Sequence, residues 1–366
     1  MITKRQRLPI VLIIAMVIVA SDGCTGTSGV NGPASTVQTT VPSASANDAS
    51  PSALPTAPNS SATRIDYAAK TLEHKTDSNS APVVYMTTDI SPVGLMAVYQ
   101  ALGQKTTGKV AVKLSTGEPP ASNYLRPELI KDLVQSLDAT IVECNTAYGG
   151  QRASTALHLQ VAKDHGYTEI ADVDIMDSEG EISLPVVGGD TIKENFVGSH
   201  YKNYDYFVVL SHFKGHQMAG FGGAIKNISI GIASSEGKSL IHTAGKSRTS
   251  PFSGSQDPFL KSMAEAGKSV VDSLNGKILY INVMNRLSID CDCNGTPAEP
   301  DMHDVGILAS LDPVALDQAC IDIVAAEPDG KSLMDRINSR NGLLTLDHAA
   351  QIGLGSREYR LVSVDD

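Results

Sequence analysis

Residues 206–242, YFVVLSHFKGHQMAGFGGAIKNISIGIASSEGKSLIH, decide the fold. Tyr206, Phe207, Val208, Val209 and Leu210 form a short, nearly continuous apolar run, the pattern of a buried strand. Polar residues begin at once with Ser211, His212, Lys214 and His216. Gly220, Gly222 and Gly223 follow, and read as a turn that lets backbone approach a ligand closely. Lys226 comes next, with His242 sixteen residues beyond it. An open α/β sheet places its ligand site where its strands end. This loop is therefore the expected active or binding centre.

The chain on either side alternates in the same way. Before the central run, strands are expected at 81–86, 109–114 and 139–143, and shorter ones near 171–175 and 183–187. Helices are expected at 94–103, 125–137 and 154–164. In the second of these Leu125, Leu129, Ile130, Leu133, Val134 and Leu137 share one face. After the central run come a helix at 257–274, strands at 277–283 and 305–309, and a helix at 313–326. Helices near 331–338 and 345–352 and a strand near 359–363 close the chain. Strands alternating with helices, with polar loops after strand ends, make an α/β fold with a mixed, mostly parallel sheet and flanking helices. No internal repeat of fixed period is present.

The 366 residues are 42% hydrophobic, enough for a substantial core. The net charge of −11, with no basic stripe to offset it, argues against a nucleic-acid partner. Lys4, Arg5 and Arg7 precede the apolar run LPIVLIIAMVIVA at 8–20, the length of a signal-peptide core rather than a comfortable membrane span. Ser21-Asp22-Gly23-Cys24 then resembles a bacterial lipoprotein cleavage site, making Cys24 a candidate lipidation site and the chain an exported, membrane-tethered, extracytoplasmic protein, with plain secretion and a retained N-terminal anchor as the alternatives. Residues 25–64 are rich in Ser, Thr, Ala, Pro, Gly and Asn, a composition that buries too little surface to offset its ordering entropy, and read as a linker. The expected organisation is a signal at 1–24, a linker at 25–64 and a folded domain at 65–366.

The five cysteines are Cys24, Cys144, Cys291, Cys293 and Cys320, an odd and scattered set that does not read as a disulfide framework. Cys291-Asp292-Cys293 is too tight for an ordinary disulfide loop and reads as a metal-ligand pair or as free thiols. With Asp290, Asp301, His303 and Asp304 it forms a set that suits zinc or iron; the plain alternative is an acidic surface loop with two thiols. Cys320 falls on the apolar face of helix 313–326 and reads as a small core residue. Asp312 before Pro313 reads as a helix cap, and Asp317 as structural.

Region 81–366 resembles the bacterial family known as domain of unknown function 362, often described as containing an Fe–S centre. HFKGHQMAGFGGAIKNISIG, the Asp290–Cys293 block and DVGILASLDPVALDQACIDIV carry that likeness. No run of ferredoxin-like cysteines accompanies it. The stretch from His216 through Ala219, Gly220, Phe221, Gly222 and Gly223 to Lys226, with His242 beyond, is also similar to the centre of the nickel-pincer lactate racemase family. That second resemblance implies a two-lobed, racemase-like architecture and an enzyme acting on a 2-hydroxy acid. It implies that Lys226 tethers a cofactor, that His242 is a nickel ligand and that His216 is an acid/base. Tyr148 stands where that family's second catalytic His is expected. Ser115-Thr116-Gly117-Glu118-Pro119 loosely matches its substrate loop, making Thr116 a candidate ligand contact.

Three functions follow as expectations. The cleft holds a metal ion (iron, zinc or nickel) or a cofactor, with His242, Cys291, Cys293 and His303 as ligands. Alternatively it binds a small anionic ligand through Lys214, Lys226, His216 and the backbone N–H groups of Gly220, Gly222 and Gly223. A third reading is a structural lipoprotein whose site is vestigial.

Overall fold

Every residue of Tyr206–His212 is buried, so this strand has other elements on both faces. Its side chains divide by alternation. Phe207 and Val209 join one apolar cluster, and Tyr206, Val208 and Leu210 join another on the opposite face. The computed structural model describes residues 65–365, so the expected signal, linker and Cys24 lie outside the described residues.

The elements run β1 (Val83–Thr87), α1 (Pro92–Ala101), β2 (Val110–Lys113), α2 (Pro127–Ser136), β3 (Thr140–Glu143), α3 (Thr155–Asp164) and β4 (Val173–Ile175). Then come β5 (Glu181–Pro185), β6 (Glu194–Gly198), β7 (Tyr206–His212), β8 (Lys214–His216), β9 (Gly220–Gly222), α4 (Ala224–Ile228), α5 (Ser235–His242) and α6 (Gln256–Leu274). The chain continues with β10 (Ile278–Met284), β11 (Gly306–Ser310), α7 (Pro313–Ala326), α8 (Lys331–Ser339), α9 (Leu344–Gln351) and β12 (Arg360–Ser363).

Eight strands form one sheet in the order β12-β1-β11-β10-β7-β2-β3-β4. Only β11 runs antiparallel to its neighbours, β1 and β10; the other pairings are parallel. The fold is thus α/β with a mixed, mostly parallel sheet, as the sequence pattern requires. The described residues cluster as one compact unit around this sheet. From β2 the chain steps outward to β3 and β4, whereas from β7 it steps the other way to β10. The order therefore reverses between β2 and β7, where such sheets open a crevice beyond the strands' carboxyl ends. Among the described residues no helix is long and apolar enough to cross a membrane.

Candidate functional site

Asn227 marks the crevice. Its Nδ2 donates to the carbonyls of Lys113 (3.1 Å) and Leu210 (3.2 Å) and to Ser211 Oγ (3.0 Å), joining the ends of β2 and β7. Above it lies a cavity of about 360 Å³. The expected turn of glycines is instead a hairpin: Lys214 pairs with Gly222 and His216 with Gly220, and α4 begins straight afterwards. Asp317 accepts the first N–H groups of α4, from Ala224 (2.7 Å) and Ile225 (3.0 Å). A Cβ on Gly223 would stand 2.3 Å from Asp317 Oδ1, so only glycine lets the cap reach the backbone. Burial, opposed by those hydrogen bonds, raises the Asp317 pKa to about 6. Asp312 likewise accepts from Val314 and Ala315 at 2.9 Å and starts α7.

Lys214, His216, Lys226 and His242 all line the cavity, with Tyr148, Gly222, Gly223, Cys291 and Cys293. Among the described residues Lys226 Nζ has no hydrogen-bond or ion-pair partner. Burial first, then the nearby Lys214 and Lys113 ammonium groups, pushes its pKa down from 10.5 to about 7. Five basic residues line the cavity, Lys113, Arg152, Lys214, Lys226 and Lys238, against two acidic ones, Glu143 and Asp292. Both carboxylates are engaged. Lys214 Nζ donates to Asp292 Oδ2 at 2.6 Å, and His212 Nδ1 lies 2.9 Å from Oδ1. Burial opposes the Asp292 charge, but Lys214 and His212 outweigh it and hold the carboxyl well below the usual range. Glu143 meets His158 Nε2 at 3.0 Å and Arg152 Nη1 at 3.4 Å. The free charge facing a ligand is therefore positive.

The two candidate histidines are in opposite states. His216 Nδ1 accepts from the N–H groups of Met218 (3.1 Å) and Ala219 (3.0 Å), which closes the hairpin turn. An acceptor Nδ1 puts the proton of the neutral ring on Nε2. Burial, then Lys226 and His242, holds the pKa of His216 well below 6.5, so the ring is a neutral donor. His242, the last residue of α5, lies 2.7 Å from the Lys238 carbonyl through Nδ1. Its Nδ1 carries the proton and Nε2 keeps a lone pair. Burial lowers its pKa to about 4, and its ring stacks on Phe259 at 4.8 Å. His242 can accept a proton or bind a metal through Nε2. His216 as placed can do neither there, because its proton occupies that nitrogen.

Several expected site residues lie elsewhere. Cys291 and Cys293 are joined in a disulfide, so in this state they are neither free thiols nor metal ligands. The expectation failed because spacing in sequence does not report how far apart two Cα atoms stand; here they are 5.2 Å apart, within disulfide reach. His303 is not beside them. Its Nδ1 lies 2.9 Å from Asp329 Oδ2 and its Nε2 3.2 Å from Tyr67 Oη. Thr116 N–H donates to Glu143 Oε2 at 2.7 Å; Thr116 serves a buried carboxylate rather than the cavity. Gly220 is absent from the lining and packs on Ile337 and Gly342, with φ +83° in the glycine-favouring region. Tyr148 does reach the cavity, and its hydroxyl oxygen accepts from Arg152 Nη2 at 3.0 Å. Cys320 is fully buried, and burial raises the Cys144 thiol to about 12. No group among the described residues brings more than two cysteines together, so a four-thiolate Fe–S centre does not fit them.

Sequence reasoning missed Lys113, Glu143, Arg152, Asn227 and Lys238. Lys113 and Glu143 carried a legible signal, a charged residue ending an otherwise apolar strand. The others are brought in by loops and short helices with no such mark.

The family described as "Domain of unknown function (DUF362)" matches residues 110–322. The chain belongs to that family. No curated protein matches it. Among solved structures, the lactate racemase apoprotein from Thermoanaerobacterium thermosaccharolyticum is similar at 18% identity and a TM-score of 0.37, covering 55% of this chain and 50% of that one. A Thermotoga maritima protein is similar at 12% identity and a TM-score of 0.37, covering 71% and 58% respectively. The chain thus spans little more than half the length of the structures it matches.

Proposed function

We propose that this DUF362 chain binds a small anionic molecule in the cavity at the sheet's carboxyl edge, and that Lys226 is its amine nucleophile or covalent tether. The observation that carries this reading is Lys226 itself. Its Nζ has no partner among the described residues, yet it lines a cavity whose free charge is positive. With a pKa of about 7, much of it is neutral amine near physiological pH and competent to attack a carbonyl. On this reading His216 Nε2–H donates to a ligand oxygen, as a neutral imidazole polarises a carbonyl, and His242 Nε2 takes a proton.

The test is twofold. Carboxylates, 2-oxo acids and phosphate esters should raise the melting temperature saturably. Borohydride added with a 2-oxo acid should fix its mass on the peptide that carries Lys226. A flat thermal screen with no adduct at Lys226 rejects the proposal.

A second reading concerns the cofactor. The free lone pair of His242 and the unpartnered Lys226 amine are the two groups that the racemase resemblance assigns to holding a nickel–pincer nucleotide. When bound, such a group would supply redox chemistry at the substrate carbon. Elemental analysis for nickel, zinc and iron, repeated on Lys226→Met and His242→Ala, separates this reading from simple anion binding. We further propose that the chain is exported and lipid-tethered at Cys24. The basic and apolar leader supports this, as does a disulfide, which persists in oxidising compartments. Globomycin-sensitive processing in a bacterial host tests it, and unprocessed cytoplasmic protein would reject it.

A further inference from the structure

The Cys291–Cys293 disulfide has little to do as a structural cross-link. It encloses one residue, and the stabilisation from a disulfide grows with the loop it closes. The loop is also held without it. Asp292 is fixed through its carboxylate by Lys214 and His212. The Asp292 carbonyl accepts from Glu118 N–H at 2.7 Å and the Gly295 carbonyl from Ala121 N–H at 2.9 Å. Arg336 Nη1 donates to the Ile289 carbonyl at 2.8 Å. The sulfurs therefore stand on a scaffold that does not need their bond.

They are also placed for chemistry. Both cysteines line the cavity, Cys293 partly exposed and Cys291 only 7% exposed. A ring nitrogen of His216 and the two sulfurs lie within 4.8 Å of one another. Lys214, itself ion-paired to Asp292, lines the same cavity with Lys113, Arg152, Lys226 and Lys238, five basic residues against the two acidic ones, Glu143 and Asp292. A sulfur that leaves as thiolate would do so into cationic surroundings, which favour the thiolate.

We propose that Cys291–Cys293 is a redox-active disulfide that exchanges with a low-molecular-weight thiol entering the cavity, anionic thiols being preferred. The inference goes beyond the ligand reading and does not require it. The incoming thiolate attacks Cys293 Sγ, the more exposed sulfur. A bond forms between the two, the Cys291–Cys293 bond breaks, and Cys291 leaves as thiolate and takes a proton from solvent. A second thiolate then attacks the small molecule's sulfur in that mixed disulfide. The small disulfide departs, and Cys293 is released as thiolate and protonated. Two thiols are oxidised to one disulfide, and two electrons and two protons reduce the protein pair. A small disulfide runs the same steps backwards.

The experiment uses the native full chain at about pH 7, with 3-mercaptopropionate as the anionic thiol and 2-mercaptoethanol as the neutral one. Cysteines are alkylated at intervals and scored peptide by peptide. Cys291 and Cys293 should become alkylatable together while circular dichroism stays native. At low ionic strength the anionic thiol should be faster by on the order of tenfold, and the advantage should collapse in about 1 M salt. Cys291→Ser protein given the disulfide of 3-mercaptopropionate should hold it on Cys293. A disulfide that opens only when the protein unfolds overturns the proposal, and this wild-type result decides even if the variant does not fold. Equal rates for the two thiols overturn the stated preference. The neutral-thiol arm needs no anion site, so it can succeed where the ligand proposal fails.

Discussion

If Lys226 has a pKa of about 7, it should be the most reactive amine of the described domain at neutral pH. Competitive acetylation under limiting reagent measures this without knowledge of the ligand. At about pH 7 roughly half of Lys226 is neutral amine, against about 0.03% of a lysine at 10.5, a ratio of roughly 1,600. A less basic amine is intrinsically less nucleophilic. A Brønsted slope of about 0.5, as for thiols, removes a factor of roughly 56 and leaves an advantage of about 30-fold. Its rate should level off above about pH 7 while exposed lysines keep gaining about tenfold per pH unit. The cause can be tested as well as the value. Lys214→Met removes a neighbouring ammonium that depresses Lys226, so it should raise the pKa and slow labelling at pH 7. Asp292→Asn removes an anion that supports the Lys226 charge and should shift the profile to lower pH. Quantitative mass spectrometry of the Lys226 peptide reads all three proteins. Labelling of Lys226 no faster than that of exposed lysines such as Lys331 would refute the reasoning.

Other consequences follow from the same geometry. The unfolded chain protonates His242 at about 6.5 and the folded chain only near 4, so its contribution to stability is complete above 6.5 and is lost as pH falls towards 4. That gap is worth up to about 3 kcal/mol, and His216 acts in the same direction; urea titrations of wild type and His242→Asn at about pH 7 and pH 4.5 should show the variant losing less. Asp292→Asn leaves Lys214 and His212 without their carboxylate and should cost about 3–5 kcal/mol, measured by the same titration. Cys291→Ser should cost no more than about 1.5 kcal/mol, because the loop it opens spans three residues. Nitrogen-15 imidazole spectra should show His216 protonated at Nε2 and His242 at Nδ1, the reverse pattern in either ring contradicting its hydrogen bonds.

How much was legible in the sequence depended on whether a residue's role was fixed locally. Tyr206–Leu210 and Lys277–Val283 declared buried strands because an apolar run has few other homes, and both became central strands of the sheet. Asp312 was legible as a cap because Pro313 follows it. His216, Lys226 and His242 reach one cavity by short-range devices, a hairpin, a five-residue helix and an eight-residue helix, so their spacing carried real information. Thr116, Gly220 and His303 were assigned by neighbourhood in sequence, yet their side chains or backbone turn to Glu143, Ile337 and Asp329 instead. Arg152 and Lys238 were invisible because nothing local states which way a loop or a short helix presents its charge.

The position of one proton divides the two ways of using this cavity. A metal centre built on His216 with Cys291 and Cys293 would need a lone pair on His216 and two free thiolates, and the structure supplies neither. Two backbone N–H groups occupy Nδ1, so the proton sits on Nε2, and the sulfurs are bonded to each other. Reduction would restore the thiolates but leave the proton where the hairpin backbone puts it. Turning the ring over would break both turn hydrogen bonds, at about 1 kcal/mol each or more. The proposed anion binding asks instead for a donor at His216, an acceptor at His242 and an amine at Lys226 that has no partner among the described residues. His216 is better understood as a hydrogen-bond donor than as a base, and a His216→Gln protein, which keeps a side-chain donor, should retain more ligand affinity than His216→Ala.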